Sequence, residues 1–251
     1  MSEYKDLAHF YDRLTQDVHY RDIADYYEML FRRAGLSIHT VLDLACGTGS
    51  MTWEMAGRGY EMIGTDQSVE MLDEAQKKAE GQAVSIAPLW LCQSMERLDL
   101  YGTVDAAICC LDGMNYAEPA TLREIFRRLL LFLEPGGILI FDILPPLLLR
   151  AYDGETFVDE TEDVLCLWRA EFDEEENACF YGMDIFIREQ DSRWRRSGEE
   201  HVEYAHDPQM LRQLLADVGF EHVELFGEMT VLPPDGETKR VYITARKPRD
   251  K

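Results

Sequence analysis

The sequence predicts an α/β fold: a seven-stranded, mostly parallel sheet with helices on both faces, joined late in the chain by an antiparallel β insertion. Three observations carry this. Short apolar runs alternate with amphipathic stretches over residues 37–150, and parallel neighbours need crossover connections of that kind. The first run ends in a two-glycine turn, "VLDLACGTGS", of the sort that opens a helix and presents backbone to a ligand. After Pro146 the alternation stops, and runs of aromatic and branched residues separated by turn residues replace it.

Each element has a local reason. The first 35 residues read as helical, with Leu7, Phe10, Tyr11 and Leu14 on one stripe. Ile23, Tyr26, Tyr27, Leu30, Phe31 and Ala34 form a second, closed by Gly35. Strands are expected at 40–44, 60–65, 89–93, 104–110 and 138–142, and helices at 50–58, 68–80 and 121–133. The runs "VLCLWRAEF", "ACFYGMDIFIRE" and "SRWRRSGEEHVEYA", broken by "DEEEN" and "QDS", predict a three-stranded antiparallel meander. Asp207 is placed to cap a helix that carries Pro208 in its first turn and ends at Gly219. The last strands are expected at 222–226 and 239–246. The resulting organisation is an N-terminal helical segment at 1–36, a core at 37–150 and 205–251, and an insertion at 151–204.

Composition narrows the classes of function. The 251 residues suit one large domain with an insertion, and 46% hydrophobic content supports a sizeable core. Against 25 basic residues stand 48 acidic ones, a net charge of −23. That field repels phosphate backbones and anionic membranes, so nucleic acid is disfavoured as a partner. The acids concentrate in the insertion, where residues 153–176 hold eleven acids and one base, Arg169. A solvated surface explains them; so does capture of a cationic partner. The longest apolar stretch, residues 129–149, is interrupted by Glu134, Pro135, two glycines, Asp142 and two more prolines, so no transmembrane helix is expected. The start "MSEYKDLAHF" lacks the basic and apolar regions of a signal peptide, and the six cysteines form no C-x-x-C pair. Both lead to the expectation of a cytoplasmic protein with reduced thiols. His9, His19, His39, His206 and His222 show no ligand spacing, and no metal is expected.

The glycine turn itself departs from the dinucleotide fingerprint G-x-G-x-x-G/A. Gly47 and Gly49 fit, but the third position is Thr52, and Asp43 stands just upstream. A pyrophosphate there would meet a carboxylate, whereas a ligand bearing an ammonium and a sulfonium would be attracted. S-adenosylmethionine is such a ligand. Asp66, at the end of the second strand, is placed to accept hydrogen bonds from a ribose diol; capping the helix near Ser68 is its competing role.

Together these residues resemble the class I S-adenosylmethionine-dependent methyltransferases, which have a Rossmann-like fold. "VLDLACGTG" is similar to the family's first motif, "GTDQSVEML" to its acidic second motif, and "LEPGGILIFD" to the segment entering its fifth strand. Within the family the chain resembles bacterial small-molecule methyltransferases, among them sugar-amine N-methyltransferases. These share a "YD" pair, here Tyr11-Asp12, a segment here read as "LDGMNY" at 111–116, and an "EEH" strand at 199–201. The resemblance implies S-adenosylmethionine as cofactor, S-adenosylhomocysteine as product, and a small-molecule acceptor, possibly an amine. It assigns Asp43 and the turn Ala45, Cys46, Gly47, Thr48 and Gly49 to the methionine moiety, and Asp66 to the ribose. Gln67 and Met71 border the adenine, joined by Gln93, Ser94 and Met95. Ser94 stands where relatives often carry an aspartate that accepts from the adenine amino group. Cys110, Leu111 and Asp112 form the wall beneath the sulfonium, and Tyr11 and Tyr20 reach over from the N-terminal helices.

For catalysis, orientation alone can supply roughly 7–11 kcal/mol, and a base can remove the acceptor's proton. His201 is the first candidate, because strand alternation places it on one face with Glu199 and Glu203. If that face covers the cofactor as a lid, His201 meets the substrate. Tyr116 and Asp112 are further candidates. Methylation of RNA or protein, and non-catalytic binding of the cofactor, are the rival readings. An NAD oxidoreductase is disfavoured by Asp43 and Thr52.

Overall fold

The computed structural model describes residues 7–80, 82, 84–189 and 193–249. Its first five strands are β1 (Thr40–Leu44), β2 (Glu61–Asp66), β3 (Leu89–Cys92), β4 (Val104–Cys109) and β5 (Leu133–Ile143). The insertion follows with β6 (Thr156–Glu160), β7 (Val164–Asp173), β8 (Ala178–Arg188) and β9 (Trp194–Tyr204), and β10 (Glu221–Phe226) and β11 (Val241–Arg246) close the chain. The core sheet has the order β10-β11-β5-β4-β1-β2-β3. All its pairs are parallel except those of β11, which runs antiparallel to both neighbours.

The helices are α1 (Tyr11–Leu14), α2 (Tyr20–Arg33), α3 (Ser50–Gly57), α4 (Val69–Lys77), α5 (Leu122–Phe132), α6 (Pro146–Ala151) and α7 (Pro208–Val218). They form two layers because the central strands are apolar on both faces. Along β5, Leu139 and Phe141 meet Phe126, Leu129, Leu211 and Leu215 of α5 and α7. The alternate residues Ile138 and Ile140 meet Tyr27, Leu30, Met51 and Met55 of α2 and α3. Burying each such side chain is worth roughly 1.5–3 kcal/mol. The ends of α7 follow from sequence: Asp207 accepts from the N–H groups of Gln209 and Met210, and Gly219 takes a φ of 120° at the far end.

Three expectations are corrected. The insertion is a four-stranded antiparallel sheet, β6-β7-β8-β9, not three strands. The strand not anticipated, β6, lies in the acidic stretch and is an edge strand with little burial, held by its ladder to β7. Charged residues suit such an edge, and they hide the alternation by which strands are recognised. The N-terminal stripe breaks into a 3-10 turn at Leu7–His9 and the short α1 before α2. It breaks because Leu7, Phe10, Tyr11 and Leu14 pack on Val164, Cys166, Met183 and Ile185 of the insertion rather than on the core sheet. Finally, α6 forms where no element was expected, started by a proline in its first turn. Residues 1–6 of the expected N-terminal helix and the "QDS" break at 190–192 lie outside the described residues.

Asn115, in the 3-10 turn Gly113–Tyr116, stitches the insertion to the core. It is fully buried. Its amide donates to the carbonyls of Leu144 (3.1 Å) and Tyr204 (3.0 Å), and its carbonyl accepts from the Leu144 N–H (3.0 Å). Asn115→Ala strands these groups, so it is expected to destabilise the protein by roughly 2–4 kcal/mol. Urea unfolding reads this directly; an unchanged midpoint would show that the stitch is dispensable.

Candidate active site

Strand order reverses beside β1, since β2 and β3 lie to one side of it and β4 and β5 to the other. Open α/β sheets bind ligands at the carboxyl ends of strands at such a point. Here a cleft of about 830 Å³ opens there, within the roughly 300–1,000 Å³ of small-molecule sites.

The loop after β1 forms one wall. Gly47 donates its N–H to Asp66 Oδ2 at 2.8 Å, Cys46 donates its own to the Thr65 carbonyl at 2.9 Å, and Gly49 to the Cys46 carbonyl at 2.9 Å. Ala45, Gly47 and Gly49 take φ values of 54°, 53° and 71°. At Gly49 glycine is also required by space, because a Cβ would stand 2.4 Å from the Trp90 ring. A Cβ at Gly47 would meet nothing within 4 Å, so that residue offers bare backbone to the cleft.

Ala45, Cys46, Gly47 and Thr48 all line the cleft, as do Asp66, Gln67 and Met71 after β2. Asp66 Oδ1 accepts from the Ser68 N–H at 2.8 Å, but the cap of α4 is Ser68, whose hydroxyl accepts from the Met71 N–H. Asp66 therefore pins the glycine turn while lining the cleft. Gln93, Ser94 and Met95 line it after β3, and Cys110, Leu111 and Tyr116 after β4. Tyr11 and Tyr20 close it from the N-terminal side. Burial pushes the thiols of Cys46 and Cys110 well up, so both form an uncharged lining.

Four expected residues lie outside the lining. Gly49 points its Cα at Trp90 and Ala75, away from the cleft. Asp43 sits beneath the turn, fully buried, and accepts from the Thr52 hydroxyl at 2.5 Å. The two departures from a dinucleotide turn are thus one hydrogen-bonded pair. Asp112 is drawn onto Arg240, 2.7 Å away. Its backbone explains why: Leu111 and Asp112 both have φ near 55°, and their N–H groups donate to the two oxygens of Asp142 at 3.0 and 2.9 Å. His201 is fully buried behind Tyr116, with ring centroids 6.2 Å apart and Nε2 3.4 Å from Glu199 Oε2.

Known proteins share this sequence pattern and fold. Residues 41–137 match the family described as "Methyltransferase domain". The Bacillus subtilis (strain 168) protein named "Putative methyltransferase YqeM" is 28% identical, with 97% of each chain covered. The crystal structure of an S-adenosylmethionine-dependent methyltransferase from Clostridium acetobutylicum ATCC 824 is 26% identical. It superposes with a TM-score of 0.85, covering 98% of this chain and 99% of that one. The domain match and the full-length relatives support S-adenosylmethionine-dependent methyltransferase activity. The fold is shared as well by CalS10 of Micromonospora echinaspora, an amino pentose methyltransferase solved with the cofactor bound. That chain is 19% identical, with a TM-score of 0.74 and coverage of 97% and 98%.

The methyltransferase cleft holds carboxylates that sequence reasoning missed. Glu70, Glu96 and Glu118 join Asp66 in its lining, and no lysine, arginine or histidine is among the described lining residues. This chemistry fits a cofactor with an ammonium and a sulfonium. Acids a few residues past a predicted strand end were the available signal. Ser94 donates its hydroxyl to Glu96 at 2.7 Å, so a carboxylate stands beside the position where relatives carry aspartate. Gln93, by contrast, is tied at both ends of its amide to the Asp99 backbone and is not free to share that role.

Burial pushes the Asp43 carboxyl up to about 7, against the opposing hydrogen bond from Thr52. The folded methyltransferase therefore keeps a proton that an unfolded chain, with a carboxyl near 3.9, releases. The stability from this group is full below about pH 4 and is lost as pH rises through about 7. Asp43→Asn keeps an acceptor for Thr52 and is expected to gain on the wild type between pH 4 and pH 7. Melting temperatures across that range check it; parallel curves for the two proteins would show Asp43 to be ionised throughout.

Proposed function

We propose that the protein methylates a nitrogen of a small amine. The observation that carries this is the cleft lining: four carboxylates with no basic side chain among the described residues. Such a surface concentrates cations and repels phosphorylated or carboxylated acceptors. The amino pentose acted on by CalS10 supports the same class of acceptor.

When bound, S-adenosylmethionine supplies an electrophilic methyl group on a positively charged sulfur. What remains is asked of the chain. The backbone at Ala45–Thr48 and the carboxylate of Asp66 hold the methionine and ribose portions, and Gln67, Met71 and the Ser94–Glu96 pair border the adenine. Cys110 and Leu111 wall the transfer site without offering a competing charged nucleophile. Tyr116 is assigned to the acceptor, because it is the polar ring at the cleft beyond Leu111. His201 is assigned a positioning role behind that ring, with Glu199 at its back. An amine captured as its ammonium form must lose a proton before its nitrogen can attack. The lining carboxylates are the bases available to receive it, while the Tyr116 hydroxyl can hold the acceptor by a hydrogen bond.

Two measurements test this reading. Asp66→Ala should weaken S-adenosylhomocysteine binding at least about tenfold, since charge-assisted hydrogen bonds are worth about 1.5–3 kcal/mol each. Calorimetry giving wild-type affinity in a folded variant would remove Asp66 from the site. Labelled-methyl transfer to a panel of amino sugars, simple amines, phenols and carboxylic acids, with mass spectrometry of products, should find incorporation at amine nitrogen. Incorporation confined to hydroxyl or carboxyl acceptors would overturn the amine assignment while leaving the cofactor untouched.

A further inference from the structure

We propose that Asp12 and Lys78 form a clasp that holds the N-terminal strap, residues 7–19, closed on the cofactor side of the cleft and sets how slowly the cofactor leaves. The proposal rests on the cofactor reading above and adds to it a control over exchange.

The strap joins two bodies. Leu7, Phe10, Tyr11 and Leu14 pack on the insertion sheet, and the Leu7 N–H donates to Glu199 Oε1 at 3.0 Å. Between these residues, Asp12 reaches across to the glycine turn of the core. Its Oδ1 accepts from the hydroxyls of Thr48 (2.6 Å) and Ser50 (3.1 Å), and its Oδ2 lies 2.5 Å from Lys78 Nζ. Lys78 completes the ring by donating to the same two hydroxyl oxygens, at 3.0 and 2.7 Å. Every donor in this ring has an acceptor, so its four side chains define one closed arrangement. Three segments meet in it: the strap, the turn that opens α3, and the residue just beyond α4.

The clasp stands where cofactor exchange would feel it. Thr48 lines the cleft on the turn, and Tyr11, the neighbour of Asp12, lines it from the strap. Lifting the strap would carry Tyr11 away and must first separate Asp12 from Lys78. The pair is not deeply buried: the side chains are 22% exposed for Lys78 and 40% for Asp12. Water screens an ion pair of this exposure, so it is weak enough to open during ligand exchange. Asp12 and Lys78 are therefore positioning residues, acting through Thr48 and Ser50 and through the placement of Tyr11.

The test uses the full chain with S-adenosylhomocysteine as probe, and measures dissociation by surface plasmon resonance. Asp12→Asn and Lys78→Met should each release the probe about three- to tenfold faster, and the double variant should release no faster than the faster single one. Lys78→Arg, which keeps the charge and the donors, should restore slow release. Arg13→Ala, which removes an exposed contact to Asp163 at 3.5 Å, should leave the rate unchanged. Wild-type release from both single variants would overturn the clasp, as would additive acceleration in the double variant. If Asp12→Asn proves unstable, the Lys78→Met rate and its rescue by arginine decide the matter. Failure of the wild type to bind the probe at all would instead overturn the cofactor reading, and the clasp with it.

Discussion

The hydrogen bond from the Gly47 N–H to Asp66, 2.8 Å long, is the contact on which the rest of the site depends. It ties the loop leaving β1 to the end of β2, and parallel pairing brings those two carboxyl ends together at one end of the sheet. The bond is possible because the turn reverses through three residues with positive φ. That reversal in turn brings Gly49 so near Trp90 that no side chain fits there. Thr48 is thereby directed to the strap and Thr52 to Asp43. One carboxylate therefore organises a turn whose remaining side chains bind its surroundings in place.

A second constraint acts at the end of β4. Two consecutive non-glycine residues, Leu111 and Asp112, hold left-handed conformations, which costs on the order of 1–3 kcal/mol each. Asp142 offsets this by accepting both backbone N–H groups, and Arg240, itself largely buried, neutralises Asp142 and Asp112 together. Burial pushes Asp142 up and the arginine opposes it, so the buried acid is held beside its counter-ion. The result is a rigid bend that leaves Leu111 in the cleft wall and turns Asp112 away. Of the expected wall of Cys110, Leu111 and Asp112, the first two line the cleft and Asp112 joins an ion network behind it.

The insertion is bound to the core by polar contacts as well as apolar ones. Asn115 reaches both bodies, and the Tyr181 hydroxyl donates to Glu203 at 3.0 Å within the insertion, whose carboxyl burial pushes well up. On the same sheet Asp184 is held low by Arg169 and Arg196, both within 2.7 Å. Glu174, Glu175 and Glu176 lie on an exposed turn between β7 and β8. Acids within this sheet therefore serve two ends, local pairing and solvated surface.

Local sequence determined the parallel core, the glycine turn, the capped α7 and the residues that follow each strand end. These depend on period, turn chemistry and backbone freedom, which neighbouring residues carry among themselves. The cleft lining after β1, β2, β3 and β4 was legible for the same reason, since loops at strand ends converge wherever the sheet is parallel. Only the tertiary structure decided which way particular side chains point. Asp43 and Asp112 turn to Thr52 and Arg240, partners 9 and 128 residues away in the chain. His201 shares a face with Glu199 and Glu203, as alternation required, but that face, which also carries Trp168, is covered at His201 by Tyr116 rather than opening into the cleft. Alternation fixes the face of a strand residue and says nothing of what covers it. That covering is set by packing between segments distant in sequence, and no local pattern records it.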